Sequence, residues 1–354
     1  MNDLESKPLF LNSVPAVKSF LKKNPHVVYN DVYDRQIKEL FFIDNHKYIG
    51  QEKIKVYKTS EFIKYKNKKK DEFVHIYYSW NNIILKCVKE VDYFKLKTNR
   101  NHDLITEEEQ KKLRDYKIAV FGLSVGSNIA FVLTQAGISK DIIIADFDEL
   151  DTTNLNRIWA GVHQVGLNKC VIAARRIYED NPFAKVVSLE TGITLKLLEK
   201  LLVNKKIDCI VEEIDNMGLK IEIRKLAMKY KIPAIMITDN GDWGVLHVER
   251  YDLGYKKIFE RDLDYWDKRL STYSGPKDFA DIVINQMVGG SDKVDPRMLR
   301  SAQKVMNKEL VSWPQLGSAA LLGGVAVTVA VKDIVRQDNV RKFTKKHLFP
   351  LSEK

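Results

Sequence analysis

Cysteine is scarce in this chain. Its 354 residues include three, Cys87, Cys170 and Cys209. Their wide spacing excludes a disulfide framework and any Cys-x-x-Cys zinc site. The seven histidines show no metal-ligand spacing and read as surface or core residues. Long hydrophobic runs are lacking too. The longest, near Gly317 to Val331, is rich in Gly, Ala and Ser and closes at Lys332 and Asp333. It reads as shorter than a bilayer span, so no membrane helix is expected. No charged-then-apolar leader opens the sequence, which makes a cytoplasmic location the expectation. There is no internal repeat.

What is present fits a globular protein. Hydrophobic residues make up 45% and charged residues 30%, which argues against wholesale disorder. The length allows a sizeable core and suggests one large domain with a smaller one. The net charge is +11, and residues 1–100 hold 20 Lys+Arg against 12 Asp+Glu. The excess peaks at Lys64, Lys66, Lys68, Lys69 and Lys70, read here as a solvated loop between strands. The sharper reading is a patch for an acidic partner or nucleic acid. No recognised nucleic-acid motif accompanies it, so no specific nucleic acid is expected.

Residues 1–30, with Pro8, Pro15 and Pro25 around a short helical stretch, read as a loosely ordered lead-in. An amphipathic helix fits 31–45. From about 53 to 98 the pattern turns to strands, Phe73–Tyr78 and Ile83–Val88, split by a tight Asn81-Asn82 hairpin. This is a small α+β unit, bounded at 1–97. Thr106 and Glu109 then form a capping box, with Glu107 and Glu108 at the positive helix end.

From there the rhythm alternates. Strands fit Ile118–Phe121, Ile142–Ala145, Val186–Leu189, Asp208–Val211 and Ala234–Ile237. Helices fit the intervals to about Ala136 and near 166–180, 194–203 and 217–230. Near-continuous apolar strands between helices imply a mostly parallel, doubly wound sheet covered on both faces, an α/β fold of the Rossmann-like kind. Residues 255–312 read as mostly helical, and the last long helix, about 315–336, is unusually rich in small residues. The second domain is drawn at 98–354.

Gly122-Leu123-Ser124-Val125-Gly126-Ser127 joins the first of these strands to a helix. Strand, glycine turn and helix N-terminus make a phosphate cradle, because free backbone N–H groups and the helix dipole face the anion. Asp146 ends the next strand, 24 positions past Gly122, a spacing that suits ribose hydroxyls. Asp146-Phe147-Asp148 leads to Asn154-Leu155-Asn156-Arg157, then to Gly166-Leu167-Asn168-Lys169, and later to Val211-Glu212-Glu213-Ile214-Asp215-Asn216. An Arg, a Lys and a strand-end Asp around phosphates suit nucleotidyl transfer. Cations neutralise charge growing at phosphorus, and a carboxylate holds magnesium.

These motifs resemble the ubiquitin-activating-enzyme-like adenylyltransferases of the ThiF/MoeB/HesA type, over about 98–250 and again near 313–336. The resemblance implies ATP and Mg2+ as cofactors. It implies that Gly122, Ser124, Gly126, Asp146, Asp148 and Asn154 bind nucleotide, with Asp146 on the ribose. Arg157 and Lys169 would contact phosphates and Asp215 would support magnesium. Arg100, in Thr98-Asn99-Arg100-Asn101, takes the role of the arginine that reaches the partner subunit's γ-phosphate, so a homodimer is expected. Arg35, in Tyr33-Asp34-Arg35-Gln36-Ile37, competes for that role on motif but not on position. The acceptor would be a carboxylate-bearing protein, peptide or small molecule, converted to an acyl-adenylate.

Two departures stand out. Ser124 replaces a glycine of the usual turn, which is also one residue shorter. No cysteine follows Asp215, so a thioester on this chain is not expected. Two other classes remain open: a nicotinamide- or flavin-binding oxidoreductase, and a non-catalytic peptide-binding adaptor with a vestigial ATP site.

Overall fold

The computed structural model describes residues 6–338 and 340–348. The chain divides into two compact units, the first running to Gln110 and including Tyr178–Phe183.

The first unit holds β1 (Leu9–Leu11), α1 (Val14–Lys23), β2 (Val28–Asp31), α2 (Tyr33–Asp44), α3 (Lys53–Val56), α4 (Ser60–Lys69), β3 (Phe73–Tyr78), β4 (Ile83–Val88) and α5 (Glu90–Thr98). Its sheet runs β1-β3-β4-β2, with β3 and β4 antiparallel and β2 parallel to β4. The two central strands and α2 lie where the sequence places them. The lead-in is more ordered than expected: two short strands flank α1, whose N-cap Ser13 accepts the Ala16 N–H at 3.2 Å. The stretch 53–69 is helical, not strand, because Phe62 and Val56 bury against Phe41 at helical spacing. The lysine run is therefore the exposed face of α4 rather than a loop. Lys66 pairs with Asp34, and Lys69 Nζ lies 2.6 Å from Asp92.

Helix α6 (Glu107–Asp115) carries the expected capping box: Thr106 N–H donates to Glu109 at 2.8 Å and Glu109 N–H to Thr106 at 3.2 Å. The second unit then follows β5 (Ile118–Phe121), α7 (Val125–Gln135), β6 (Asp141–Ala145), α8 (Lys169–Asp180), β7 (Lys185–Leu189), α9 (Leu195–Val203), β8 (Cys209–Glu212), α10 (Met217–Tyr230), β9 (Ala234–Asn240) and β10 (Trp243–Glu249). After these come α11 (Leu263–Ser271), α12 (Pro276–Ile282), a π-helix (Val283–Val288), α13 (Pro296–Met306), α14 (Gly317–Arg336) and β11 (Phe343–Leu348).

The sheet order is β11-β10-β9-β8-β5-β6-β7. Strands β9 through β7 in that order are mutually parallel, and β10 is antiparallel to both of its neighbours. The doubly wound, mostly parallel Rossmann-like sheet is thus as expected. The antiparallel edge was not anticipated: β10 follows β9 through the Gly241-Asp242 turn, and its strand was masked by His247 and Glu249, both fully buried. The chain moves outward from β5 to β6 and β7, then returns to β8 on the other side of β5. That reversal opens a crevice at the carboxyl ends of β5 and β8.

Helix α14 spans 20 residues inside the expected 315–336, and it is long and apolar enough to cross a bilayer by length and composition, where the sequence reading took its apolar run as too short. Its small residues serve close packing here. A Cβ on Gly324 would sit 3.1 Å from the Asn128 carbonyl oxygen of α7, and one on Gly323 3.1 Å from the Ile237 side chain of β9.

Candidate active site

The turn after β5 depends on Gly122. Its φ is +85°, and a Cβ there would lie 2.5 Å from the Glu213 carbonyl oxygen. Only glycine lets the backbones leaving β5 and β8 come this close. Leu123 N–H then donates to Asp146 Oδ2 at 2.6 Å, while Asp146 Oδ1 accepts the Asp148 N–H at 2.8 Å. Asp146 thus ties the glycine turn to the loop after β6. Each of its oxygens takes one backbone N–H, which leaves acceptor capacity for a hydroxyl.

Asp148 turns its side chain back across the crevice, with Oδ2 2.8 Å from Lys169 Nζ. Lys169 opens α8 and is largely buried, whereas Asp148 is about half exposed. Asn154 closes a one-turn 3-10 helix whose start, Asp151, donates its N–H to Asn154 Oδ1 at 3.1 Å. That turn delivers Arg157. Its Nε donates to Ser124 Oγ at 2.9 Å, and its Nη1 to the Thr153 carbonyl at 3.2 Å and to Asn156 Oδ1 at 3.0 Å. The loop is braced from two sides: Asn128 donates to the Arg157 carbonyl at 2.7 Å, and Asn156 to the Gln315 carbonyl at 2.7 Å. Ser124, the departure from an all-glycine turn, is the group that receives the arginine.

Asp215 follows β8, just before Asn216 caps α10 by accepting the Leu219 N–H at 2.9 Å. Loss of surrounding water raises the Asp215 carboxyl above its ordinary range; Lys220 and Lys169 oppose this, and Glu212 and Asp148 add to it. Arg157 is shifted down by burial, against the opposing fields of Asp239 and Asp215. Six of the expected residues, Gly122, Ser124, Asp146, Asp148, Arg157 and Lys169, therefore meet at the β5 end, as two hydrogen-bonded groups, Arg157–Ser124 and Lys169–Asp148–Asp146, joined through the Gly122 turn. Asp215 faces it electrostatically. Gly126 lies one turn into α7, where a Cβ would touch the Val120 side chain at 3.0 Å, so it packs the helix on β5. Arg100 lies in a 3-10 turn of the first unit, Asn99–Asn101. Arg35 is on α2, exposed and 3.4 Å from Glu39.

Sequence reasoning missed three groups. Asp239, at the carboxyl end of β9, has both carboxyl oxygens shut off from solvent and accepts no hydrogen bond from any described residue. Burial raises it to about 6, with Arg157 opposing. The signal was in the sequence: an acid at a strand end before Asn240-Gly241. Glu213 is pushed well up by burial, and its Oε1 accepts the Ile237 N–H at 2.9 Å. Beneath it Glu212 binds Lys220 at 3.0 Å and also Arg224, whose Nε reaches Glu249 at 2.7 Å. This buried network of two acids and two bases fastens β8 to α10 and β10, and it had no sequence signature.

All three cysteines are buried. Burial pushes the Cys87 and Cys170 thiols up to about 12 and Cys209 higher still. None is set up as a thiolate nucleophile.

Comparisons with known proteins bear on the family and the fold. Residues 96–254 match the ThiF family. An uncharacterized protein of Mycobacterium tuberculosis is 32% identical over 259 residues, 73% of this chain and 35% of its own length. A tRNA threonylcarbamoyladenosine dehydratase of Bacillus subtilis is 31% identical over 139 residues, 39% of this chain and 54% of its own. The chain thus spans about a third to a half of the length of these relatives. Among solved structures, the E. coli tRNA N6-threonylcarbamoyladenosine dehydratase in complex with AMP superposes with a TM-score of 0.51 at 18% identity, covering 72% of this chain and 98% of that one. Motifs, topology and family match converge on residues 96–254, the stretch that matches the ThiF family.

Proposed function

We propose that this protein is an ATP-dependent adenylyltransferase that activates a carboxylate as an acyl-adenylate. The observation that carries the reading is the pair of hydrogen-bonded groups Arg157–Ser124 and Lys169–Asp148–Asp146, gathered around the Gly122 turn where the strand order reverses. Two cations, the N-terminus of α7 and a strand-end carboxylate are the parts that hold a nucleoside triphosphate and neutralise charge at its phosphates.

In this reading the Leu123 turn and the start of α7 cradle the phosphates. Asp146 accepts from the ribose. Arg157 exchanges part of its contact with Ser124 for phosphate oxygens, and Lys169 leaves Asp148 for the same purpose. The acceptor carboxylate oxygen attacks the α-phosphorus, the bond from that phosphorus to the bridging oxygen breaks, and pyrophosphate leaves with the electron pair. The attacking group is already ionised near pH 7, so no general base is needed.

Magnesium fits through Asp215. Its carboxyl is raised by desolvation and by neighbouring acids, a strain that a cation relieves. Among the described residues no group of three His, Cys, Asp or Glu side chains forms a metal cage. The ion would therefore be shared between Asp215 and the nucleotide, as magnesium usually is. When bound, it supplies further charge neutralisation to the phosphates.

Acceptors of the ThiF type include proteins and peptides, and the acceptor here is a carboxylate on a protein, a peptide or a small molecule. The buried cysteines support release of the adenylate to an external nucleophile rather than capture on this chain. A homodimer with Arg100 serving the partner's site is part of the proposal. Its support is an exposed apolar row on α14, Leu321, Val325 and Val329, at i, i+4, i+8 spacing. A cytoplasmic location belongs to the same reading.

The test is ATP–pyrophosphate exchange with fractionated protein, peptide and small-molecule carboxylates. Arg157→Ala, Lys169→Ala and Asp215→Ala should each lower the exchange rate by about 30-fold or more while leaving the fold intact by circular dichroism. Losing one phosphate-contacting cation should cost about 2–4 kcal/mol of transition-state stabilisation. Exchange at wild-type rate in all three variants defeats the assignment.

A further inference from the structure

A second cation-lined hollow lies in the same unit, at the opposite edge of the sheet from β7. It is bounded by the turn at Phe259–Arg261, the π-helix and β11, and it encloses about 570 Å³. None of its lining residues belongs to the glycine-turn crevice.

Three cations line it, Arg261, Lys293 and Lys345, against one carboxylate, Glu260. The Lys345 side chain is only 16% exposed, with Nζ 2.9 Å from the Gln286 carbonyl and 3.4 Å from Glu260. Burial depresses its ammonium; Glu260 opposes this, and Lys293 and Arg261 add to it. The geometry shows the same crowding. The point a Cβ on Gly289 would occupy is 3.1 Å from Lys345 Nζ and 3.8 Å from Lys293 Nζ, so two ammonium groups converge on one place. Like charges held together in a partly enclosed hollow repel, and an anion between them removes that cost.

The walls are built rather than loose. Phe259 and Glu260 have φ of 45° and 65°, a left-handed pair normally left to Asn-Gly. A bulky residue there is strained, and such strain persists only where surrounding structure enforces it. Here Ile258 and Arg261 exchange two backbone hydrogen bonds of 2.9 Å. Phe259 N–H donates to the buried Glu249 at 2.9 Å, and its ring stacks under Arg224 at 4.3 Å. Opposite, Arg261 Nε donates to Gln286 Oε1 at 2.8 Å within the π-helix, an irregularity frequent at functional sites.

We propose that this hollow is an anion site for a phosphate-type oxyanion, free or as a monoester, separate from the nucleotide crevice. The three cations supply charge, and Lys345 is the deepest donor. Binding would displace Glu260 from Lys345 and settle the anion between Lys293 and Lys345.

Isothermal titration with inorganic phosphate, on the full chain with a non-hydrolysable ATP analogue saturating the crevice, tests this. One phosphate per chain is expected. Lys293→Ala and Lys345→Met should each weaken it at least about tenfold, the loss of one charge-assisted contact. Glycerol 3-phosphate in place of phosphate separates the sources: tighter binding means that the group arrives on a larger molecule, and equal or weaker binding that it arrives free. Lys293 is exposed and its loss will not threaten folding, so it decides if Lys345→Met unfolds. Absence of binding beside the ATP analogue, or phosphate affinity unmoved by Lys293→Ala, overturns the proposal.

Discussion

Asp239 offers a sharp prediction, because its ionisation opposes folding. Its carboxyl, buried and without a hydrogen-bond donor among the described residues, sits at about 6, against about 3.9 in an unfolded chain. Between these values the native protein binds more protons than the unfolded one, so stability falls as pH rises from about 4 to 6 and is then level. Two units correspond to about 3 kcal/mol at most. Asp239→Asn cannot ionise and should escape this fall. The amide is itself left partly unsatisfied, which costs about 1–3 kcal/mol at every pH. The signature is therefore the pH dependence of the difference between variant and wild type, more than its size at one pH. Calorimetry at pH 4.5, 6 and 7.5 should show the variant gaining on wild type by several degrees across the series, at about 2–4 °C per kcal/mol. A difference that is constant with pH, or that moves the other way, refutes the reasoning that Asp239 is ionised at the cost of folding.

Other outcomes follow from the site. Gly122→Ala should lose more than about 1 kcal/mol of stability by urea denaturation, because φ there is +85° and a Cβ meets the Glu213 carbonyl; equal stability would mean that the turn is not fixed by that contact. Changing Cys87, Cys170 or Cys209 singly to Ser should leave pyrophosphate exchange intact apart from packing losses of about 1–2 kcal/mol, and mass spectrometry should find no thioester on any of them. Mixing Arg100→Ala with Asp215→Ala under subunit exchange should restore activity, since half of the mixed dimers' sites carry neither defect. No recovery despite demonstrated exchange, or a monomer by light scattering, would remove the shared-site model.

Much of the second unit was legible because its strands are short, apolar and bounded by glycine or by acids. Ile118–Phe121 and Cys209–Glu212 show no period-2 alternation since both faces are covered, and that pattern belongs to parallel sheets. The residues gathered at the candidate site were readable as spaced motifs: Gly122, Asp146 and Asp215 follow strand ends, and Arg157 and Lys169 lie in the loop and helix start that come after β6. What escaped was non-local. The helical state of 53–69 is set by burial of Val56 and Phe62 against α2, which spacing of lysines hides. Strand β10, to which the sequence reading assigned no element, contains His247 and Glu249, buried polar and charged types whose partners, the Met287 carbonyl and Arg224, only the fold brings beside them. Asp239 escaped for the opposite reason. A strand-end Asp before Asn-Gly reads as ordinary turn chemistry, and only the fold shows that its carboxyl is closed off facing Arg157.

Adenylation forms a bond between a carboxylate oxygen and the α-phosphorus of ATP. Labelling the acceptor carboxylate with 18O, trapping the activated product with hydroxylamine and analysing the released nucleotide by mass spectrometry follows that oxygen. Adenylation predicts one 18O in AMP, with unlabelled pyrophosphate released in equal amount. Label in inorganic phosphate with release of ADP, or AMP carrying no label, would rule adenylation out.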